Sequence, residues 1–443
     1  MAQKFEGTLR WMAYASGMAG WSVMMNMVSV MLIYFYIPPS NAGLPQLLPQ
    51  ISYFGVISLF SLVLASGRLF DAVSDPLIAF MSDRFSSRWG RRVPFMLVSV
   101  IPAGIFSILL FYPLHNYESL TNYAWLFFVQ LGFYLFLTIY IVPFNALMPE
   151  LTETEDEKLR MSVALSLAFV SGIVLASQIP LLSRVVGDMF NIDDIQNRFR
   201  LSMGLITIVA CILMIIPVFV VNEKKYCEKV TKTVSIFKSV KTTLTNRNFL
   251  IFMVADASFF ITLAIIASGL LYYVKVLLLL PEEKGTWFLA IMIGLSLVFY
   301  PVVVRLVKIF GKKKLIIISF SIFAFLFCTV IFMGLSGIHP EVYLYGVAVL
   351  AAFPVAVLGI LPYTIIAEIS QIVTRKEGIK IEGMFFAVRT FGDKLGQTIG
   401  VMIFAVLTLY GKDPGNDFGV RMSGLIGMLI CLGAAISFYS YRE

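Results

Sequence analysis

The segment "SGRLFDAVSDPLIAFMSDR" sets Arg68, Asp71 and Asp75 within two helical turns of an otherwise apolar run. A charged side chain at the centre of a bilayer costs at least ~2.5–3.5 kcal/mol, so such residues are functional candidates by default. Asp71 and Asp75 are four apart and share one helix face. Like charges at that spacing repel, and low dielectric strengthens the repulsion. The pair therefore needs a cation between the carboxylates, a proton on one of them, or a basic side chain that neutralises both. Sodium takes several oxygen ligands, and hydroxyls stand nearby: Ser74 adjoins Asp75, and Thr138 lies in a later apolar run, one turn above a Pro143 break. The structural alternative is that Arg68 pairs with Asp71 to fix helix packing. One arginine does not readily neutralise two acids, which favours a coupling ion.

A second charged island reads "EGMFFAVRTFGDKLGQTIG" and contains Arg389, Asp393 and Lys394. Asp393 follows Arg389 by four, good spacing for an intrahelical ion pair. Lys394 points to another face. It could answer the carboxylates of the second run, meet an anionic group of a solute, or snorkel to the membrane surface. Asp256, early in the seventh apolar run, is balanced between a functional role and a cap or water-facing one. Met24, Met25, Met27 and Met31 suit a packing or lipid-facing role better than an adaptable cavity.

The elements that carry these residues follow from composition. Of 443 residues, 59% are apolar and 14% charged, against ~45–50% and ~25% for an average soluble domain. There is too little polar side chain to cover a water-soluble surface, so the chain is read as a polytopic membrane protein. Runs near 11–37, 51–81, 93–113, 124–148, 161–183 and 201–222, then 249–276, 286–307, 314–337, 342–367, 384–410 and 420–440, each meet the ~20-residue length of a membrane helix. That makes twelve, in two sets of six. Met1–Arg10 leads into a first run too long for a cleaved signal.

Charge gives the orientation. The loop after the second run carries Arg84, Arg88, Arg91 and Arg92, and the loop after the eighth carries Lys308, Lys312, Lys313 and Lys314. Stretches 38–50, 114–123 and 336–343 contain no Lys or Arg. The positive-inside rule then puts even-numbered loops and both termini in the cytoplasm. The halves echo each other: the fourth run ends "PFNALMPE" and the tenth "PYTIIAE", each followed by a charged loop. The expected organisation is an N-terminal six-helix bundle over 1–222, a basic cytoplasmic linker over 223–247 and a C-terminal bundle over 248–443. This is an all-α membrane protein of major facilitator architecture, with solute held between repeats. In the linker, "VSIFKSVKTTL" suits a short amphipathic surface helix.

The net charge of +8 sits in short loops, which fits a membrane surface and not nucleic acid. Two His and four Cys without a CxxC pattern give no basis for a zinc site, a disulfide framework or the nucleophile of an enzyme. The turn "DRFSSRWGRR" (Asp83, Arg84, Arg88, Arg91, Arg92) reaches water. Its expected role is to pin cytoplasmic helix ends, with Glu150 and Glu368 as candidate partners.

Three of these segments, "RLFDAVSDPLIAFMSDRFSSRWGRRVPF", "VPFNALMPELT" and "FGDKLGQTIG", resemble the glycoside–pentoside–hexuronide cation symporters, the family of melibiose permease, along all twelve runs. The resemblance implies Na⁺, or alternatively H⁺ or Li⁺, as coupling ion at Asp71, Ser74, Asp75 and Thr138, with Lys394 nearby and no cofactor. Where that family's sugar carriers hold sugar with charged residues, this chain departs. Ser22 replaces an acid of the first run, Ile141 falls where one carrier has a second acid, Asn145 replaces an aromatic, and Leu165 replaces an arginine.

"YASGMAGWS" and "LRMSVALSLAFVSGIVLASQI" are similar to a second branch, the animal sodium-dependent lysophosphatidylcholine symporters. That likeness implies an apolar cleft, Lys394 on a headgroup phosphate and a gating role for Arg160. The resulting expectation is a monomeric, multi-pass symporter of a bacterial inner membrane. It would import an amphipathic solute such as a lysophospholipid, with a sugar or glycoside as the alternative.

Overall fold

The computed structural model describes residues 8–53, 57–85, 87–152, 155–221, 223, 243–377 and 382–441. Apart from a two-strand hairpin of β1 (Ser52–Tyr53) and β2 (Ile57–Ser58) and short single turns, the regular structure is helical. The helices are α1 (Thr8–Tyr36), α2 (Leu59–Arg84), α3 (Val93–Leu109), α4 (Thr121–Leu151), α5 (Glu155–Ser177), α6 (Ile179–Phe190) and α7 (Ile195–Val220). They continue with α8 (Arg247–Tyr272), α9 (Glu283–Phe310), α10 (Lys312–Ile331), α11 (Pro340–Glu377), α12 (Glu382–Leu407) and α13 (Phe418–Tyr439). Among the described residues, ten helices are long and apolar enough to cross a membrane. The helix α3 is shorter, and α2 is long but interrupted by Arg68, Asp71 and Asp75.

The chain divides into two compact units. One comprises Met1–Pro38, Gly43–Gln50 and Ser66–Thr231; the other comprises Pro39–Ala42, Ile51–Ala65 and Lys232–Glu443. The "VSIFKSVKTTL" segment of the linker lies almost entirely outside the described residues.

In the first unit α1 packs on α5 and α7, and α3 on α4 and α7. Small residues permit the approach: a Cβ on Gly20 would strike the Ala210 carbonyl of α7. Met24, Met27 and Met31 are wholly buried, so they serve packing. Aromatic tips find backbone partners, as buried polar ends must. Tyr14 stacks on Phe144 at 4.4 Å and donates to its carbonyl, and Tyr140 donates to the Met214 carbonyl at 2.8 Å.

The second unit repeats the pattern. Its first helix, α8, packs on α12 and α13, and α9 packs on α11. Gly396 and Gly400 face the Ala257 and Ile261 carbonyls of α8, the close backbone approach that small residues four apart allow.

Two expectations need correction. The run at 161–183 is not one helix. It divides at Gln178, because Pro180 in the first turn of α6 lacks the N–H that a continuous helix would use. Conversely, α4 is not broken at Pro143; it runs on to Leu151, as membrane helices can when neighbours satisfy the freed carbonyl.

Candidate functional site

In the first unit α2 lies close against α4, with no room for a side chain at Gly67 because the Gln130 amide fills that place. One turn further along α2 and two along α4, the Thr138 hydroxyl donates to Oδ1 of Asp71. Asp71 is 5% exposed and Thr138 fully buried. The Ser74 hydroxyl, also buried, donates to the Asp71 carbonyl at 3.0 Å, which leaves its oxygen lone pairs available as a ligand. Asp75 is partly buried one turn beyond. The structure thus brings Asp71, Ser74 and Thr138 to one place with the second carboxylate on the same helix.

Arg68 is buried in the same region. Its Nη2 donates to the Ser29 hydroxyl of α1 at 2.8 Å, and its guanidinium lies 5.4 Å from the centre of the Tyr134 ring. Ser29 in turn donates to the Met25 carbonyl at 2.9 Å. Gln130, Tyr134 and Ser29 escape a sequence reading because neutral residues in apolar runs carry no charge signal. Only the distance of four between Gln130 and Tyr134 marks them as one face of α4.

The positions aligned with sugar ligands differ in exposure. Ser22 is fully buried, donates to the Phe169 carbonyl of α5 at 2.7 Å and sits beside Gly172. Ile141 is buried, Leu165 partly buried and Asn145 exposed. Lys394 is a half-buried residue of α12 in the second unit, where the Thr398 hydroxyl donates to its carbonyl at 2.8 Å. Arg160, near the start of α5, is exposed.

The basic turn is organised by a residue the sequence reading missed. Glu223, 3% exposed, accepts from the backbone N–H groups of Arg91 and Arg92 at 2.8 Å each and of Val93 at 3.4 Å. The Arg91 Nε adds an ion pair at 3.3 Å. The carboxylate therefore caps the N-terminus of α3, where unsatisfied donors and the helix dipole both favour an anion. Gly90 packs against it at φ +111°, a conformation that needs glycine. Arg92 Nη1 donates to the Ala146 carbonyl of α4 at 2.8 Å, and Arg88 is exposed. Glu368 pairs instead with Lys312. The side chains of Asp83, Arg84 and Glu150 lie outside the described residues.

In the second unit Arg389 forms a two-pronged pair with Asp256, Nε to Oδ2 at 2.6 Å and Nη2 to Oδ1 at 3.2 Å. The expected partner within its own helix, Asp393, lies at 3.9 Å. Asp256 is 3% exposed, so it neither caps nor faces water. Cys211, Cys328 and Cys431 are free thiols, and Cys227 lies outside the described residues. Among the described residues no three His, Cys, Asp or Glu side chains form a metal cluster.

The chain is similar to an uncharacterized symporter of Synechocystis sp., 24% identical over 96% of this chain and 88% of the relative. It is also similar to the sodium-dependent lysophosphatidylcholine symporter 1 of Xenopus tropicalis, 20% identical over 85% of this chain and 77% of the relative. Among solved structures, the nucleoside transporter NupG superposes with a TM-score of 0.68 over 98% of this chain and all of the other, at 11% identity, which is a likeness of fold. Residues 13–438 match the family of MFS/sugar transport proteins. With ten helices among the described residues able to cross a bilayer, the protein is a multi-pass membrane transporter and not an enzyme, and it belongs to that family.

Proposed function

We propose that the protein is a cation-coupled symporter in which Asp71, Ser74, Asp75 and Thr138 hold the coupling ion. The single observation that carries this reading is the buried Asp71–Thr138 contact between α2 and α4, with a second carboxylate one turn away. A buried carboxylate with hydroxyl neighbours offers the hard oxygen ligands that an alkali cation takes. Occupation would relieve the repulsion between Asp71 and Asp75 and bias α2 toward one state of alternating access. Sodium is the favoured ion, and H⁺ or Li⁺ would use the same oxygens.

In this reading α2 and α3 join the ten apolar helices to make twelve spans in two six-helix halves. Both termini face the cytoplasm of a bacterial inner membrane, as the loop charges favour. The N-terminal half ends near 222, the linker covers 223–247 and the C-terminal half begins at 248. The transporter works as a monomer.

The solute favoured is an amphipathic one such as a lysophospholipid, its phosphate met by Lys394 and its tail by apolar side chains. Supporting this, Ile141 is apolar where a sugar carrier has an acid, and the Ser22 hydroxyl is engaged by a backbone carbonyl. A glycoside is the second reading, favoured by the description of the matching family.

The test is thermal stabilisation of the purified protein by lysophosphatidylcholine, lysophosphatidylethanolamine, melibiose and a pentoside, each with and without NaCl, and with an inert detergent of equal chain length as control. A ligand selective for the folded state raises the melting temperature by mass action. A sodium-dependent rise with a lysolipid alone supports the first reading. A rise with a sugar alone replaces it with the second, and sodium-independent shifts throughout would overturn sodium as the coupling ion.

A further inference from the structure

The second unit contains a buried charge imbalance that the α2 site does not use. Asp256 on α8 and Arg389 on α12 are 3% and 4% exposed, and Asp393, one turn along α12 from Arg389, has a side chain 14% exposed. All three belong to helices able to span the membrane. Arg389 commits Nε and Nη2 to Asp256 and reaches Asp393 only at 3.9 Å. One guanidinium therefore faces two carboxyl groups.

Among the described residues, Arg389 is the basic side chain that pairs with Asp256 and Asp393. The Tyr363 ring of α11 lies 4.3 Å from the guanidinium carbon. On its other side Asp256 borders a small cavity lined by Phe252, Phe259, Phe320, Leu358 and Pro362; α13 contributes Phe438 to the same lining. Lys394, next in sequence, is turned about 100° around the helix from Asp393.

Two further facts specify what balances the charge. The Asp393 Oδ1 atom is closed to solvent and has no hydrogen-bond partner among the described residues. The Asp393 and Asp256 carboxyls also bear on the same guanidinium nitrogen, Arg389 Nη2, at 3.9 Å and 3.2 Å. An ionised Asp393 is an acceptor only, with its buried Oδ1 unmet, whereas a protonated Asp393 is neutral. Leaving both ionised would bury an uncompensated charge, a cost of several kcal/mol on the order expected for a buried ion. A sodium ion would need several oxygens, and the lining is aromatic and aliphatic.

We propose that Asp256, Arg389 and Asp393 form a proton-binding site in the second unit, with one proton bound at Asp393 beside the ion pair. The Arg389–Asp256 pair stays ionic and Asp393 carries the O–H. The site is separate from the α2 carboxylates, so the transporter has a proton-binding element whether or not its coupling ion is sodium.

Infrared spectroscopy of the purified, detergent-solubilised protein tests this through the C=O stretch of a protonated carboxylic acid at neutral pH. The wild type should show such a band. Asp393→Asn should remove one carboxyl's worth of it, and Asp256→Asn should do the same, because Asp393 then ionises against Arg389. Asp71→Asn should leave that component in place. Both asparagine variants are nearly isosteric, and a monodisperse gel-filtration profile verifies that each is folded. If one fails to fold, the other gives the same reading. A spectrum in which neither variant removes any protonated-acid intensity, with the proteins folded, overturns the proposal. So does a band that disappears with Asp71→Asn alone.

Discussion

The Thr138 hydroxyl donates to Oδ1 of Asp71, joining α4 to α2 where both side chains are closed to solvent. The hydroxyl holds the carboxylate in one orientation and keeps an oxygen beside it that an ion can share. Thr138→Val keeps the shape and removes both functions. The ion loses one ligand oxygen, and a bond to a charged group contributes about 1.5–3 kcal/mol, so apparent sodium affinity should fall about tenfold or more. Sodium titrations of melting temperature measure it, and an unchanged midpoint would exclude Thr138 from the site.

Glu223 binds three successive backbone N–H groups at the start of α3 and pairs with Arg91. Glu223→Ala strands those donors inside the protein. The expected loss of stability is about 1–3 kcal/mol, read as a lower melting temperature in detergent. Lys312→Ala, which breaks an exposed pair with Glu368, should cost under about 1 kcal/mol. Equal effects would mean that burial does not separate the two contacts.

Lys394 is the residue proposed to meet an anionic headgroup. Charge-assisted bonds contribute about 1.5–3 kcal/mol, so Lys394→Ala should weaken lysophosphatidylcholine binding roughly tenfold or more. Binding of a neutral glycoside should change less than about twofold. Parallel losses for both solutes would assign Lys394 a structural role.

Much of this was legible in the sequence because charge in an apolar run is conspicuous. Asp71, Asp75, Ser74 and Thr138 announce themselves by type and spacing, and the membrane helices by length. Contacts between distant segments were not legible. Asp256 stood open between a functional and a capping role and Glu223 drew no notice, and only the packing of α8 on α12, or of the α7 end on the basic turn, supplies their partners. Spacing favoured Asp393 for Arg389, yet a guanidinium fork satisfies two donors on one carboxylate, and Asp256 presents that geometry. The break at Gln178 was written in Pro180 but hidden by unbroken hydrophobicity, since a hydropathy ruler does not register a missing N–H.

The most direct test of the central claim is uptake by proteoliposomes under an imposed inward sodium gradient, with the solute selected by thermal stabilisation. The wild type should accumulate solute above its outside concentration and lose the accumulation when the gradient is collapsed. Asp75→Asn should bring sodium-stimulated uptake to the level of empty liposomes while remaining folded. Normal sodium dependence in Asp75→Asn, or wild-type uptake that only equilibrates, would contradict a cation-coupled symporter built on the α2 carboxylates.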